Sequence, residues 1–316
     1  MNRVRITAAL ALVATPLAAQ QGGTVRLRFD WRPGTRAEVD YEQVRLRNVG
    51  GRVDTLHVAS TYRMEVSAHA AGIAIAYSGT RWTELHSTDP VLGPYYQAMA
   101  RTTSGGRGRT VVGPGGRFLR VEGAQEIAGE LDQALGPVLA DMDASTVQSI
   151  RQAASTLTSP QALGAAAEND WNALVGTWLG MELTIGQVVA VERSFRTPVF
   201  PGVTIPLHMQ FRAAGRVRCA PADAEERCVR LELASIPDQE VVARAIRDFL
   251  ERAGTAFEDA QATLAQANVQ SFIILHTEPQ TLRPYLLQYR RVVKASRAED
   301  APIHVDTRTF RFRYLP

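Results

Sequence analysis

The stretch Thr110 to Gly123, TVVGPGGRFLRVEG, constrains this chain more than any other. Thr110-Val111-Val112 is β-branched and extended, Gly113-Pro114-Gly115-Gly116 supplies residues that preset or tolerate turn geometry, and Phe118 to Val121 resumes an extended run. The result is a β-hairpin that delivers the chain into Ala124. It also divides the sequence: the residues before it read as strands, and the segment directly after it reads as helix.

Upstream, Leu27, Phe29 and Trp31 share one face, with Arg26, Arg28 and Asp30 on the other, before Arg32-Pro33-Gly34 turns the chain. Ala37, Val39 and Tyr41 keep one parity while Val44 and Leu46 take the other, which predicts a bulge or bend near Glu42. After the Asn48 to Arg52 turn, Tyr62, Met64, Val66 and Ala68 alternate, and Ile73, Ile75 and Tyr77 come after the turn at Ala71-Gly72. These runs predict a curved antiparallel meander. Ser87 to Gly108, interrupted by Pro90, Gly93 and Pro94, reads as a surface excursion with a short helix over Tyr95 to Met99. Its run Ser104-Gly105-Gly106-Arg107-Gly108 lacks the GKS or GKT ending and the strand-to-helix setting of a phosphate loop.

Downstream of the hairpin, Ile127, Leu131 and Leu135 recur at helical spacing up to Gly136-Pro137, where a kink or restart is expected. Ser145-Thr146-Val147-Gln148 has the form of a capping box, Ser159-Pro160 opens a further helix, and Trp171, Leu174, Val175 and Trp178 form its apolar side. Asp141-Met142-Asp143, without other ligands nearby, reads as an inter-helix turn rather than a metal site.

The second half repeats the order of strands and then helix. Val203, Ile205, Leu207, Met209 and Phe211 give the clearest alternation in the chain, and Pro198, Pro201 and Pro206 place the start of that strand at an edge. Ser235-Ile236-Pro237-Asp238 starts a long helix with Val242, Ile246, Phe249, Ala253, Phe257, Ala260 and Leu264 on one stripe. The mixed charge of its other face favours packing on the sheet over lying on a membrane surface. Three closing strands come last: Phe272 to Leu275, Tyr285 to Tyr289, and Phe310 to Tyr314, the final one ending the sheet. The fold class is α+β, a curved antiparallel sheet, half-barrel-like, packed on helices, with two halves that read as a pseudo-repeat. The mature chain reads as a single exported domain over 21–316, with a first β half at 24–121, a helical segment at 124–179 and a second β half with the long helix at 181–316.

Met1 to Gln20 has the three parts of an export signal: Arg3 and Arg5, an apolar run from Ile6 to Val13, and small residues before a polar start. A run of eight residues is too short to span a bilayer, so cleavage should leave a soluble periplasmic or extracellular protein. The formal charge of +3 includes those two arginines, so the mature chain carries about +1, which makes no electrostatic case for nucleic acid. Cys219 and Cys228, the only two cysteines, flank a polar loop between strand-like runs, and a disulfide across that hairpin suits an oxidising compartment.

The turn Arg32-Pro33-Gly34 and the GPGGRFLRVEG hairpin before the helices resemble exported bacterial proteins of unknown function. The architecture that this resemblance implies is similar to that of periplasmic lipoprotein carriers, a curved sheet wrapped over helices.

No catalytic, cofactor-binding or metal-ligating residue is assigned. HExxH, GxSxG, P-loop and CxxC patterns are missing, and His208 and His276 stand alone on strands. The sequence reads as a non-enzymatic exported binding protein without cofactor, accommodating a lipid or other hydrophobic ligand between sheet and helices. Two other readings stay open: a solid envelope protein that binds a protein partner, and a hydrolase whose groups assemble only in space.

Overall fold

A computed structural model of the chain describes residues 23–49, 52–88, 92–102, 108–140, 142–196, 204–252, 268–294 and 303–316. The export signal, most of the glycine-rich run before Gly108 and the expected long helix beyond Arg252 lie outside the described residues. In chain order the elements are β1 (Thr24–Arg26), β2 (Arg36–Val49), β3 (Arg52–His69), β4 (Gly72–Ser87), α1 (Leu92–Thr102), β5 (Arg109–Val112), β6 (Phe118–Glu122), α2 (Ala124–Leu139), α3 (Ala144–Thr158) and α4 (Pro160–Leu174). The second half adds β7 (Glu182–Thr184), β8 (Val188–Arg196), β9 (Thr204–Val217), β10 (Cys228–Pro237), α5 (Gln239–Arg252), β11 (Asn268–Thr277), β12 (Pro284–Lys294) and β13 (Ile303–Tyr314).

Eleven strands form one curved, unclosed antiparallel sheet in the order β6-β5-β4-β3-β2-β13-β12-β11-β10-β9-β8, and β1 pairs with β7 beside it. The α+β expectation therefore holds. The sheet is two meanders, β2 to β6 and β8 to β13, joined where β2 pairs with β13. The last strand, expected to end the sheet, instead occupies its middle. The reason lies in its side chains: Phe310 and Phe312 are buried and Tyr314 packs on the same core, and a strand so buried needs hydrogen-bonding partners on both sides.

From edge strand β6 the chain reaches the opposite edge, β8, through α2, α3, α4 and β7. This helical connection covers the apolar part of the inner face. Trp178 meets Phe211 of β9 edge-on at 5.7 Å, and Trp171 meets Phe29 and Trp31 at 5.8 and 5.4 Å. The indoles of Trp171 and Trp178 donate to the Gly116 and Ala173 carbonyls at 2.8 and 2.9 Å, while the buried Trp31 N–H has no partner among the described residues. The hairpin of β5 and β6 supplies this seat. Gly116 has φ +91°, and a Cβ there would stand 2.7 Å from Phe29, so a glycine is required on both counts.

Local rules account for the helix starts with some shifts. Asp143, rather than Ser145, caps α3: its carboxylate accepts from the backbone N–H groups of Ser145 and Thr146, both at 3.0 Å, and from both hydroxyls. These bonds hold its carboxyl well below the usual range. Ser159 caps α4 as expected, accepting from Ala162 N–H at 3.1 Å. Helix α2 runs through Pro137 to Leu139, because the proline falls in its last turn, where one lost hydrogen bond matters least. Asp238 caps α5, which begins at Gln239 because Ser235 to Pro237 complete β10. Thr204 to Pro206 pair with β8 alone, since β10 pairing begins at Leu207, so Pro206 marks a one-sided start, while Pro198 and Pro201 lie outside the described residues.

No bulge occurs near Glu42. Strand β2 pairs without a break from Ala37 to Asn48 with both neighbours, and the irregular pairing lies one strand away, between β3 and β4 at Ala59/Ser60 and Thr61/Arg63. The parity switch has another cause: beyond Tyr41 the inner side of β2 turns polar, opposite buried Val58 and Leu56 of β3, and Val44 and Leu46 sit exposed on the outer face.

Cys219 and Cys228 are joined across the β9–β10 hairpin, at a sequence separation of nine. Replacing both by alanine is expected to lower stability by about 2 to 3 kcal/mol, the loop-closure entropy of so short a ring. Chemical denaturation of the oxidised parent and the variant measures it; equal midpoints would show that the cross-link constrains nothing.

Candidate functional site

Antiparallel register lines up the inner-facing side chains in rows that cross the strands. The row Met64, Ala37, Tyr314 and the row Tyr62, Val39, Phe312 are apolar but for one phenol each, and the row Ser60, Tyr41, Phe310, Leu287, Leu275 but for two hydroxyls. The next three rows change character: Gln43, Arg308, Tyr289, Ile273; then Arg45, Asp306, Arg291, Ser271; then Arg47, His304, Val293, Val269. A polar ladder thus occupies the far end of β2, β13 and β12, on the face that elsewhere holds the core.

Its centre is closely bonded. The Gln43 amide N–H donates to Asp306 Oδ1 at 2.8 Å, with both residues buried, and the Gln43 carbonyl accepts from Tyr41 Oη at 2.9 Å and from Tyr96 Oη of α1 at 3.4 Å. Arg308 donates to Asp306 Oδ2 through Nη2 at 3.0 Å and Nε at 3.2 Å, and reaches Asp170 of α4 at 3.6 Å. Its guanidinium also lies 5.9 Å from the centre of the Tyr289 ring. Burial works against the charge on Arg308, yet Asp306, Tyr41 and Asp170 outweigh it and raise its pKa. Burial likewise pushes the Tyr41 and Tyr96 phenols upward, so both remain donors at neutral pH.

One row further out, Arg45 Nε donates to His304 Nε2 at 3.0 Å. That bond requires a neutral imidazole. Partial burial, then Arg45, and with it Arg291 and Arg47, depress the His304 pKa to about 4, with Asp306 opposing them. The Asp306 carboxylate is held by Gln43 and Arg308, and the His304 lone pair is taken by Arg45.

The two histidines singled out in the sequence stay apart from the ladder. His208 is exposed on the outer face with Glu192 at 3.3 Å, and His276 faces Arg230 across β10 and β11, its pKa lowered by burial and then by that arginine. Sequence reasoning does not find the ladder, although a signal for it is present: His304, Asp306 and Arg308 share the parity of Phe310 and Phe312, and Gln43 and Arg45 that of Val39 and Tyr41. Elsewhere, an open cleft of about 480 Å³ on the outer face is bordered by Glu38, Thr61, Arg63, Thr80, Arg81 and Arg313. Among the described residues no group of three histidine, cysteine or acidic side chains could hold a metal, and no helix is long and apolar enough to cross a membrane.

No family model and no curated protein matches the chain. Among solved structures it is similar to one described as lipid-protein interactions in lipovitellin, with a TM-score of 0.44 and 6% identity over 90% of this chain. The chain spans only 25% of the length of that protein.

The ladder has two measurable consequences. Asp306→Ala removes the partner of Gln43 and Arg308 and should cost about 2 to 4 kcal/mol, the lower end reflecting the partial exposure of Arg308. Denaturant unfolding measures it, and a loss below about 0.5 kcal/mol would mean that the pair is solvated in effect. Because the folded state depresses the His304 pKa below its value in the unfolded chain, stability is full above about pH 6.5. It then declines as the pH falls towards 4, where the folded form also takes up its proton. An NMR titration of His304 with a midpoint near 6.5 would contradict this.

Proposed function

We propose that the protein is an exported, non-enzymatic binding protein that takes a lipid-like hydrophobic ligand against the inner face of the sheet, beside the polar ladder. One observation carries the reading. Along a single row, charge on Arg45, Asp306 and Arg291 gives way to the hydroxyls of Ser271 and Ser235, then to Met209 and Val191. Val293 and Val269 extend the neighbouring row in the same sense, and Val191, Leu207, Val269 and Val293 are only half-buried. Strands about 4.8 Å apart put roughly 19 Å between β12 and β8, the reach of a long acyl chain. An extended amphipathic molecule lying across the strands would meet polar and apolar surface in matching order.

Export rests on the basic, apolar and small-residue parts of Met1 to Gln20, and the Cys219–Cys228 bond is compatible with it. The single exported domain over 21–316 belongs to the same proposal.

A protein-partner reading has its own observation: Val44, Leu46 and Val53 are exposed together on the outer face at that end of the sheet. Native mass spectrometry of the mature protein purified from its exporting host separates the two. A stoichiometric lipid-like adduct, released by solvent extraction, is the expected result. A clean apo mass with no uptake of a fluorescent fatty-acid probe would overturn the ligand reading in favour of the partner.

A further inference from the structure

We infer that the outer rows of the ladder receive an oxyanion head group, carboxylate or phosphate, through Arg45, Arg47 and Arg291; this deepens, and rests on, the ligand reading above. The three cations converge by register. Arg47 lies directly opposite His304, and Arg45 and Arg291 flank Asp306 from its two sides, so adjacent side chains begin about 5 Å apart on one face.

Their charge is not met from within. Asp306 and Asp170 both serve Arg308, and Asp54, across from Arg47 on β3, is held by Arg52 at 2.9 Å. Arg45, Arg47 and Arg291 form no ion pair with a described carboxylate. Counting the two outer rows with Arg308, Arg52, Asp54 and Asp170, five arginines face three carboxylates, an excess of two positive charges. Arg45 is half-buried while Arg47 and Arg291 are exposed, and the repulsion of like charges gathered on one face is relieved when an anion joins them.

The geometry also leaves donors for that anion. Arg45 is anchored through Nε on His304, and its terminal nitrogens make no hydrogen bond to a described residue. Such a fixed guanidinium presents a planar pair of N–H groups, the match for a carboxylate or phosphate edge. Histidine completes the site without adding charge: partial burial, then the neighbouring arginines, hold it neutral, and in that form it orients Arg45. The anion's apolar body would then run along the half-buried strip of Val293, Val269, Leu207 and Val191.

Calorimetric titration of the mature protein with oleate, oleyl alcohol and inorganic phosphate tests this, in the parent, in Arg291→Gln and in the Arg45→Gln/Arg291→Gln pair. Arg291 is exposed, so its single replacement should leave the fold intact, as near-UV circular dichroism would verify. The parent is expected to prefer oleate to the alcohol on the order of tenfold or more, as charge-assisted hydrogen bonds imply, with the preference reduced in the single variant and lost in the double. Equal binding of oleate and alcohol by the parent would overturn the head-group site and leave the hydrophobic-ligand reading standing. A preference that survives both substitutions would overturn the assignment to these arginines. Arginine-dependent binding of phosphate alone would support the oxyanion site while overturning the hydrophobic ligand, and binding of none of the three would overturn both.

Discussion

The pairing of β2 with β13 is the constraint on which the rest of the structure depends. Twelve consecutive pairs, from Ile303 opposite Asn48 to Tyr314 opposite Ala37, join the two meanders into one sheet. Strands from the two ends of the chain thereby become central, and the strands from its middle, β6 and β8, become the edges. Because the helical connection starts at one edge and finishes at the other, it is brought over the inner face, where Trp171 and Trp178 fill the space. A seam with this sequence separation must close a very long loop before any of its contacts forms, which places this topology among slow folders.

The same seam carries the change from apolar to polar chemistry, and that change protects its register. A slip of one residue in β2 would turn Gln43 outward and Val44 inward, breaking the Gln43 bonds to Asp306 and Tyr96 and leaving Asp306 Oδ1 without that donor. An all-apolar seam would penalise such a slip less sharply. Buried polar groups are costly only when unsatisfied, and in the centre of this ladder Gln43 and Asp306 have their bonds. Polarity on the inner face and exposed valine and leucine on the outer face are thus two views of one inversion along β2.

Much of the fold is legible in the sequence because alternation and turn chemistry act locally. The Gly113 to Gly116 hairpin, the inward parity of Leu27 and Trp31, the Ser159 cap and the cysteine bridge all depend on residues close in sequence. The central place of β13 is not legible, since the aromatic alternation of Phe310 to Tyr314 suits any strand with one face on a core, and its neighbour β2 lies far back in the chain. The parity switch at Glu42 reads as a bulge only on the assumption that the inner face is apolar throughout. Pairing with His304, Asp306 and Arg308 is needed to show that Gln43 and Arg45 have partners there. The candidate site escapes a sequence reading for the same reason: its members come from β2, β12, β13, α1 and α4, and none carries a motif.

The chain's reliance on arginine, with Lys294 its single lysine, has structural use in this ladder whatever its origin. Arg308 binds one oxygen of Asp306 through two nitrogens, reaches Asp170 with a third and lies over the ring of Tyr289, contacts that a planar, delocalised cation makes together and an ammonium cannot. Arg45 similarly commits one nitrogen to His304 and keeps its terminal pair. Each guanidinium can therefore be held by the sheet and still present donors, which a single-point cation would have to divide between the two tasks. That property lets fixed charge stand on the inner face beside an apolar core without being neutralised by it.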